Sequence, residues 1–189
     1  LQRHQPQTTE QILSRAAWWE RDWRRLPQQR RDFGGQRRQD FVLQWVSTRK
    51  ELEQRLREAG WQPAPAADVK SMLLWLSPQV QLRELPVLPQ THEGSEDDLT
   101  LVRYSDDPDK RWLLRFWDVG ARLGEGGSPI WVGSVSQQKL EPRMRLFTFA
   151  VDDPQTRAPA DLLAPAWRGL QTRVVKGANP NERITLIAD

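Results

Sequence analysis

Hydrophobic residues near the start of the chain recur at steps of three and four, which is the spacing of an amphipathic helix. Thr8 and Gln11 have the spacing of a capping box, so we predict a helix that begins there and ends near Pro27. The predicted buried stripe of this helix consists of Ile12, Ala16, Trp19, Trp23 and Leu26. One face of this helix is therefore expected to pack on a core.

Two further helices are predicted from local signals. A second capping box, formed by Thr48 and Glu51, opens a helix that is expected to stop at Gly60, a residue suited to a left-handed C-cap. A third and shorter helix is predicted to begin at Asp68 and to end at Pro78.

Between the first two helices, and again after the third, the sequence contains short segments that are typical of strands. In Arg111–Trp117 both alternating faces carry hydrophobic residues, so this strand is expected to be central and covered on both sides. The predicted strands are Phe41–Val46, Leu99–Tyr104, Arg111–Trp117, Ile130–Val135, Arg143–Val151, Thr172–Lys176 and Arg183–Ile187. Turns at 106–109 and 177–182 are expected to close hairpins. The order of elements predicts an α+β fold, a mostly antiparallel twisted sheet with three or four helices packed on it.

Composition narrows the possible chemistry. The 189 residues contain no Cys and two His, which excludes disulfides, cysteine-ligated zinc and iron–sulfur clusters, so we expect neither a metal nor a cofactor. No apolar run is long enough to span a bilayer. Because the chain begins with Leu1 and its first residues lack the apolar stretch of a signal peptide, we expect a piece of a longer polypeptide.

Positive charge is concentrated in the N-terminal third. The net charge is only +3, from 28 Lys and Arg against 25 Asp and Glu. Seven arginines form the candidate anion-binding set, namely Arg21, Arg24, Arg25, Arg30, Arg31, Arg37 and Arg38. Guanidinium groups match phosphate geometry, so anionic lipid headgroups or nucleic acid are possible ligands, although the low net charge disfavours nucleic acid. The alternative is a helix whose Trp face is buried and whose Arg face is solvated.

An acidic segment near the middle of the chain supplies the weak catalytic candidates. His92 is followed by Glu93, Asp97 and Asp98, and such a set could hold a hard cation or form a histidine–carboxylate acid/base pair. The alternative is an exposed acidic loop, since no second His and no regular ligand spacing accompany it. Motifs of serine hydrolases, P-loops and dinucleotide-binding loops are absent from the sequence.

Several segments together resemble the LssY C-terminal domain family over about residues 18–136. The residues that carry the resemblance are Trp19, Trp23, Leu26-Pro27, Arg30, Gln44-Trp45, Gly60-Trp61, Leu85–Pro89, His92, Gly94, Leu113–Trp117 and Pro129–Val135. The resemblance implies one domain over 1–189, in which 1–17 is a linker or a helix extension from a preceding membrane region. It also implies a module at the C-terminal end of bacterial inner-membrane proteins, often after a DedA-type domain and a type-2 phosphatidic acid phosphatase domain.

Three functional hypotheses follow, the first from the resemblance together with the basic N-terminal segment and the other two from the residues alone. The first is a soluble, non-catalytic accessory domain of an inner-membrane lipid phosphatase or transport protein, tethered to the membrane and facing the periplasm rather than the cytoplasm. Its expected partners are the parent membrane domains and anionic lipid headgroups. The phosphatase motifs themselves are absent from this chain. The second hypothesis is a hydrolase for a phosphorylated or envelope-derived substrate, acting through His92 and its carboxylates. The third is a nucleic-acid binder, which the charge disfavours.

Overall fold

The computed structural model describes residues 10–66, 81–143, 147–153, 158, 160–179 and 181–189. The predicted helix from Asp68 to Pro78 falls outside these residues. The strands are β1 Gln11–Leu13, β2 Gln29–Arg31, β3 Arg37–Asp40, β4 Leu43–Val46, β5 Gln62–Pro63, β6 Thr91–His92, β7 Ser95–Glu96, β8 Leu99–Tyr104, β9 Lys110–Leu123, β10 Pro129–Arg143, β11 Phe147–Asp153, β12 Gln171–Lys176 and β13 Arg183–Ala188. The helices are α1 Arg15–Glu20, α2 Arg49–Glu58 and α3 Ala160–Leu163, with 3-10 turns at Asp22–Arg25, Leu82–Glu84 and Ala164–Trp167.

One large sheet organises the molecule. Its strands lie in the order β12-β13-β4-β10-β9-β8-β5, with β11 alongside β10 and β1 alongside β9. All pairs in it are antiparallel except β1 with β9 and β13 with β4. Two hairpins, β2–β3 and β6–β7, stand apart from this sheet. Within the large sheet, β8 pairs with β9 across the predicted turn at 106–109, and β12 pairs with β13 across the one at 177–182. The predicted antiparallel sheet and these two hairpins are confirmed.

Helix α2 forms as its local sequence predicts. The Thr48 side chain accepts from the backbone N–H of Glu51, and the Glu51 carboxylate accepts from the N–H of Thr48. Its apolar side is buried through Leu52 and Leu56. Gly60 follows the helix at a φ of +88°, a backbone conformation that favours glycine.

The predicted helix from Thr8 to Pro27 is wrong in its extent and only partly right in its buried face, since Trp23 and Leu26 of the predicted stripe are buried. Residues Gln11–Leu13 form a strand parallel to residues 121–123 of β9, and α1 begins only after Ser14, which caps it. Ile12 is exposed, whereas Trp18 is buried and donates its indole N–H to the side chain of Gln44. Pairing with a distant strand thus overrode the local helical pattern.

Helices contribute less than expected. Only α1 and α2 exceed a single turn among the described residues, so the predicted three or four helices are not found there. None of the helices in the described part of the chain is long and apolar enough to cross a membrane. The fold class is α+β with the sheet dominant.

The central strand β9 separates two packed layers. On one face Leu114 and Phe116 join the main hydrophobic core with Leu52 and Leu56 of α2. The opposite face carries Arg111, Leu113, Arg115 and Trp117, which alternate with the first set and are all buried. This second face bears two buried charges, and it positions the candidate site.

Candidate functional site

Arg111 is a buried side chain whose hydrogen-bonding capacity is well used. Its Nε donates to Oε1 of Gln138 at 2.9 Å, and its Nη1 donates to the carbonyl oxygens of Leu82 and Leu85 at 2.9 and 2.8 Å. Its Nη2 reaches the carbonyl oxygen of Pro86 at 3.4 Å. Burial lowers its pKa to about 10. Arg111 therefore holds the segment 82–86 against the sheet.

Arg115 lies four residues further along the same strand face and is 1% exposed. Its Nη2 donates to the carbonyl oxygen of Leu88 at a long 3.4 Å, and its Nη1 lies 3.9 Å from Oδ2 of Asp152. Its Nε has no hydrogen-bond partner among the residues that the structure describes. Burial lowers the pKa of this guanidinium, and Asp152 opposes the shift. Arg115 is thus a buried cation that is only partly paired.

Asp152 sits near the end of β11 on the same side of the sheet. The register places it opposite Gln138, which is itself opposite Arg111. Its Oδ2 accepts from the side-chain nitrogens of Gln90 at 3.0 Å and Gln39 at 3.3 Å. Because a carboxylate can only accept, both amides must turn their nitrogens toward it. The amide oxygens of Gln39 and Gln90 therefore point elsewhere.

Arg30 completes a group of five side chains, which we call the polar cluster: Arg30, Gln39, Gln90, Arg115 and Asp152. Arg30 donates from Nη1 to the carbonyl oxygen of Thr91 at 2.8 Å, and its pKa is lowered by burial and by the nearby Arg38. Each member holds one buried atom that lacks a partner among the described residues. These atoms are Nε of Arg30 and of Arg115, Oε1 of Gln39 and of Gln90, and Oδ1 of Asp152, five of eight such atoms in that part of the chain.

His92 lies beside the polar cluster and connects two hairpins. Its Nδ1 accepts from the backbone N–H of Arg31 at 3.1 Å, and the N–H of Glu93 donates to the carbonyl oxygen of Arg31. The buried ring packs edge-on against Phe41 and Trp117, with centroids 5.1 and 6.4 Å away. Burial lowers its pKa, while Glu93 acts in the opposite direction. A neutral imidazole is what this accepting Nδ1 requires.

The carboxylates predicted as partners of His92 mainly serve the backbone. Asp97 accepts from the N–H of Gln90 at 2.6 Å and from the hydroxyl of Thr100, and Asp98 accepts from the N–H of Asp118 at 2.7 Å. Burial raises the pKa of both Asp97 and Asp98. In the described ranges no hydrogen bond joins His92 to a carboxylate, and no group of three His, Asp or Glu residues could hold a metal.

Glu93 occupies the turn of the β6–β7 hairpin. It is exposed and has a positive φ of 49°, and Gly94 follows it at +86°. The segment predicted as an exposed acidic loop is therefore a tight hairpin whose His side chain points inward and whose Glu lies outside.

The seven candidate arginines are distributed over two regions instead of one surface. Arg21, Arg24 and Arg25 are exposed around the first 3-10 turn, where Arg21 and Arg25 face Asp22 and Arg24 stacks on Trp23. The β2–β3 hairpin carries the other four: Arg30 belongs to the polar cluster, and Arg31, Arg37 and Arg38 are exposed. Phe33, at the tip of this hairpin, is 79% exposed.

Four members of the polar cluster, all except Arg30, were not among the candidate site residues predicted from the sequence. Gln39, Gln90 and Asp152 belong to common residue types, and Gln39 is 113 positions from Asp152. Arg115 did carry a signal, because it alternates with Leu113 and Trp117 in a strand that was expected to be covered on both sides. A charge at such a position must be buried, and its partners can be sought on neighbouring strands.

A separate cleft of about 300 Å³ lies beside α2, on the sheet face that carries Leu114 and Phe116. Its walls include Trp45, Glu51, Arg55 and Asp189. None of the candidate residues named above lines it, so the polar cluster is a feature of the opposite face of the sheet.

Comparison with known proteins identifies a family. No curated protein and no solved structure matches the chain. The family model described as LssY C-terminus matches residues 23–156, a segment that contains the whole polar cluster and His92. Because this match covers more than half of the chain, the protein belongs to the LssY C-terminus family.

Proposed function

We propose that this chain is a non-catalytic accessory domain that contacts an anionic membrane surface through its β2–β3 hairpin. In this proposal it accompanies the membrane domains of a bacterial inner-membrane lipid phosphatase or transport protein, on the periplasmic side. The observation that carries the proposal is Phe33, a large apolar side chain left 79% exposed at the tip of a basic hairpin.

The side chains of the hairpin suit the boundary between water and lipid. Phe33 is followed by Gly34 and Gly35, so no bulky neighbour shields its ring from a membrane. Aromatic rings gather at the headgroup level of bilayers, and arginines bind lipid phosphates. Residues 29–40 contain four Arg and two Asp, which gives the hairpin a net charge of +2. Each basic residue near an anionic surface contributes about 1 kcal/mol to its attraction.

The hairpin is attached to the body of the domain at its base. Gln29 and Asp40 are joined by a side-chain hydrogen bond of 2.6 Å, and the backbone of Arg31 is paired with both His92 and Glu93. Phe41, just after β3, packs against Trp117 in the core. The exposed tip is therefore presented by a fixed base, which reduces the conformational entropy lost on docking.

Vesicle flotation tests this proposal. We expect the chain to float with vesicles of phosphatidylcholine and phosphatidylglycerol at low salt, and to float much less at high salt, which screens the attraction. Phosphatidylcholine vesicles alone should bind weakly. The combined variant Phe33→Ser, Arg37→Gln and Arg38→Gln should lose binding.

The matched control is Arg57→Gln with Arg83→Gln, which removes two charges from exposed positions outside the hairpin. This control should float like the unmodified chain. Absence of flotation at low salt would refute the proposal, and so would an equal loss in the control. The hydrolase and nucleic-acid hypotheses stay predictions, and activity against phosphate esters or a salt-dependent gel shift would favour them instead.

A further inference from the structure

We propose that the polar cluster is a binding site for the hydroxyl groups of a sugar or polyol. The five buried atoms without a described partner consist of two donors, on Arg30 and Arg115, and three acceptors, on Gln39, Gln90 and Asp152. The proposal depends on the chemistry of this set and is independent of the membrane contact proposed above.

The unpartnered atoms are grouped at one place in the molecule. A buried polar atom without a partner destabilises the folded state, since folding removes its water and supplies nothing in return. The remaining three atoms of this kind in the described residues are the indole nitrogens of Trp23, Trp61 and Trp117, which belong to three different hydrophobic clusters. Four of the five in the polar cluster belong to side chains that meet at Asp152, namely Gln39, Gln90, Arg115 and Asp152 itself. Arg30 is near enough to interact electrostatically with Arg115 and Asp152.

The charges of the cluster exclude simple ions as good ligands. A metal cation at the three oxygens would be repelled by the guanidinium groups of Arg30 and Arg115. A phosphate at the two guanidinium groups would face the carboxylate of Asp152 and two amide oxygens, which are all acceptors like itself. A hydroxyl group both donates and accepts, so it can bridge a guanidinium N–H and a carboxylate or amide oxygen. Neighbouring hydroxyls on one molecule match this mixed set.

The members of the cluster are held in place by their other contacts. Asp152 fixes both amides through their nitrogens, Arg115 is held between Leu88 and Asp152, and Arg30 is held by Thr91. Four of the residues come from strands β2, β3, β9 and β11. The unpartnered atoms cannot simply turn toward one another without breaking these contacts, so the site is organised before a ligand arrives.

The cluster lies within reach of the surface. Although the five atoms themselves are buried, Arg30, Gln39 and Gln90 are only half-buried as residues, and 22% of the Asp152 side chain is exposed. These partly exposed side chains therefore connect the unpartnered atoms with the surface from which a small polyol would approach.

The test observes the guanidinium N–H signals directly, in ¹H–¹⁵N spectra of the folded chain. Glycerol, myo-inositol and glucose are titrated in turn, with inorganic phosphate and magnesium chloride as opposing probes. We expect at least one of the three polyols to shift the Nε–H signals of Arg30 and Arg115 saturably, whereas phosphate and magnesium do not.

Substitutions then assign the site. Gln39→Leu and Gln90→Leu each remove one acceptor, so each should weaken polyol binding about tenfold, the loss expected for one hydrogen bond to a buried site. Gln54→Leu, on the exposed side of α2, is the matched control and should bind normally. Phe33→Ser should also bind normally, which separates this proposal from the membrane proposal.

The source of the hydroxyls is decided by a further titration with phosphatidylcholine vesicles that contain a glucosyl diglyceride. Shifts with the free polyol alone indicate a soluble ligand, and stronger binding to the glycolipid vesicles indicates a headgroup. If no polyol shifts either Nε–H signal, or if phosphate or magnesium does so instead, the proposal is wrong. The unmodified chain gives this answer by itself, even if a substituted chain does not fold.

Discussion

Arg111 and Arg115 offer a comparison between two buried cations on one face of one strand. Both are nearly inaccessible, and burial lowers the pKa of both. Arg111 nevertheless donates to four oxygen atoms, three of them backbone carbonyls of the segment 82–86. Arg115 has one long hydrogen bond, one distant carboxylate and an Nε without a described partner.

The difference shows that burial alone does not mark a functional cation. A guanidinium whose donors all meet fixed acceptors stabilises the structure around it, because removing it would leave those acceptors unpaired. A guanidinium with an unused donor has capacity for another molecule. The same strand thus carries a structural arginine and a candidate binding arginine, and substitutions at the two positions should have different consequences.

The largest effect is expected for Arg111→Met. The methionine fills similar space but leaves the carbonyl oxygens of Leu82, Leu85 and Pro86 and the amide of Gln138 without their donor. We expect a loss of about 3 kcal/mol or more in the free energy of unfolding, measured by urea denaturation. Arg57→Met, at an exposed position of α2, should change it little. An Arg111→Met loss as small as that of this control would contradict the structural role.

A smaller loss is expected for Arg115→Met, about 1–2 kcal/mol in the same measurement. The substitution removes a weak bond to Leu88 and the distant pairing with Asp152, but Asp152 retains its bonds from Gln39 and Gln90. If the two substitutions destabilise the protein equally, Arg115 is as structural as Arg111 and the comparison fails.

The smallest effect concerns His92 and depends on pH. An imidazole in the unfolded chain titrates near 6.5, and burial lowers the pKa of His92 below that value in the folded chain. The unfolded chain therefore binds the proton first, so this contribution to stability is complete above about pH 6.5 and is lost as the pH falls toward the folded pKa. Asp97 and Asp98, whose pKa values are raised by burial, contribute with the opposite sign.

The substitution His92→Gln isolates this contribution. A glutamine oxygen can accept from the N–H of Arg31 but does not titrate, and the two aspartates are present in both chains. Urea denaturation of both chains at a series of pH values should show that the unmodified chain loses more stability on acidification. Parallel pH profiles would mean that protonation of His92 has no consequence for the hairpin.

The parts of the fold that depend on nearby residues were predictable. The capping box of α2 involves Thr48 and Glu51, and the bounds of β8 agree with the pattern of alternating residues in Leu99–Tyr104. The start of the N-terminal helix could not be predicted, because residues before it form β1 through pairing of Ile12 with Arg122, far away in the sequence. The residues near β1 contain no signal that predicts pairing with so distant a strand.

In the candidate site, too, the features that depend on nearby residues could be predicted and those that depend on distant residues could not. His92 attracted notice because His is rare in this chain, yet its role as an acceptor for the backbone of Arg31 depends on a hairpin that had not been predicted. The basic segment could be recognised from composition, but its division between a 3-10 turn and a hairpin could not. Asp152 and its two glutamine partners come into contact only when the sheet has formed, so their proximity could not be predicted from the sequence.

The position of β13 has a consequence for how the molecule must be made. This last strand lies inside the sheet, where residues 185–187 pair in parallel with residues 43–45 of β4. During synthesis β4 cannot pair with this second neighbour until residues 185–187 have left the ribosome, and such distant pairing slows folding. A chain trimmed to residues 23–156 would keep the polar cluster but leave the edge of β4 open, a template for joining other copies.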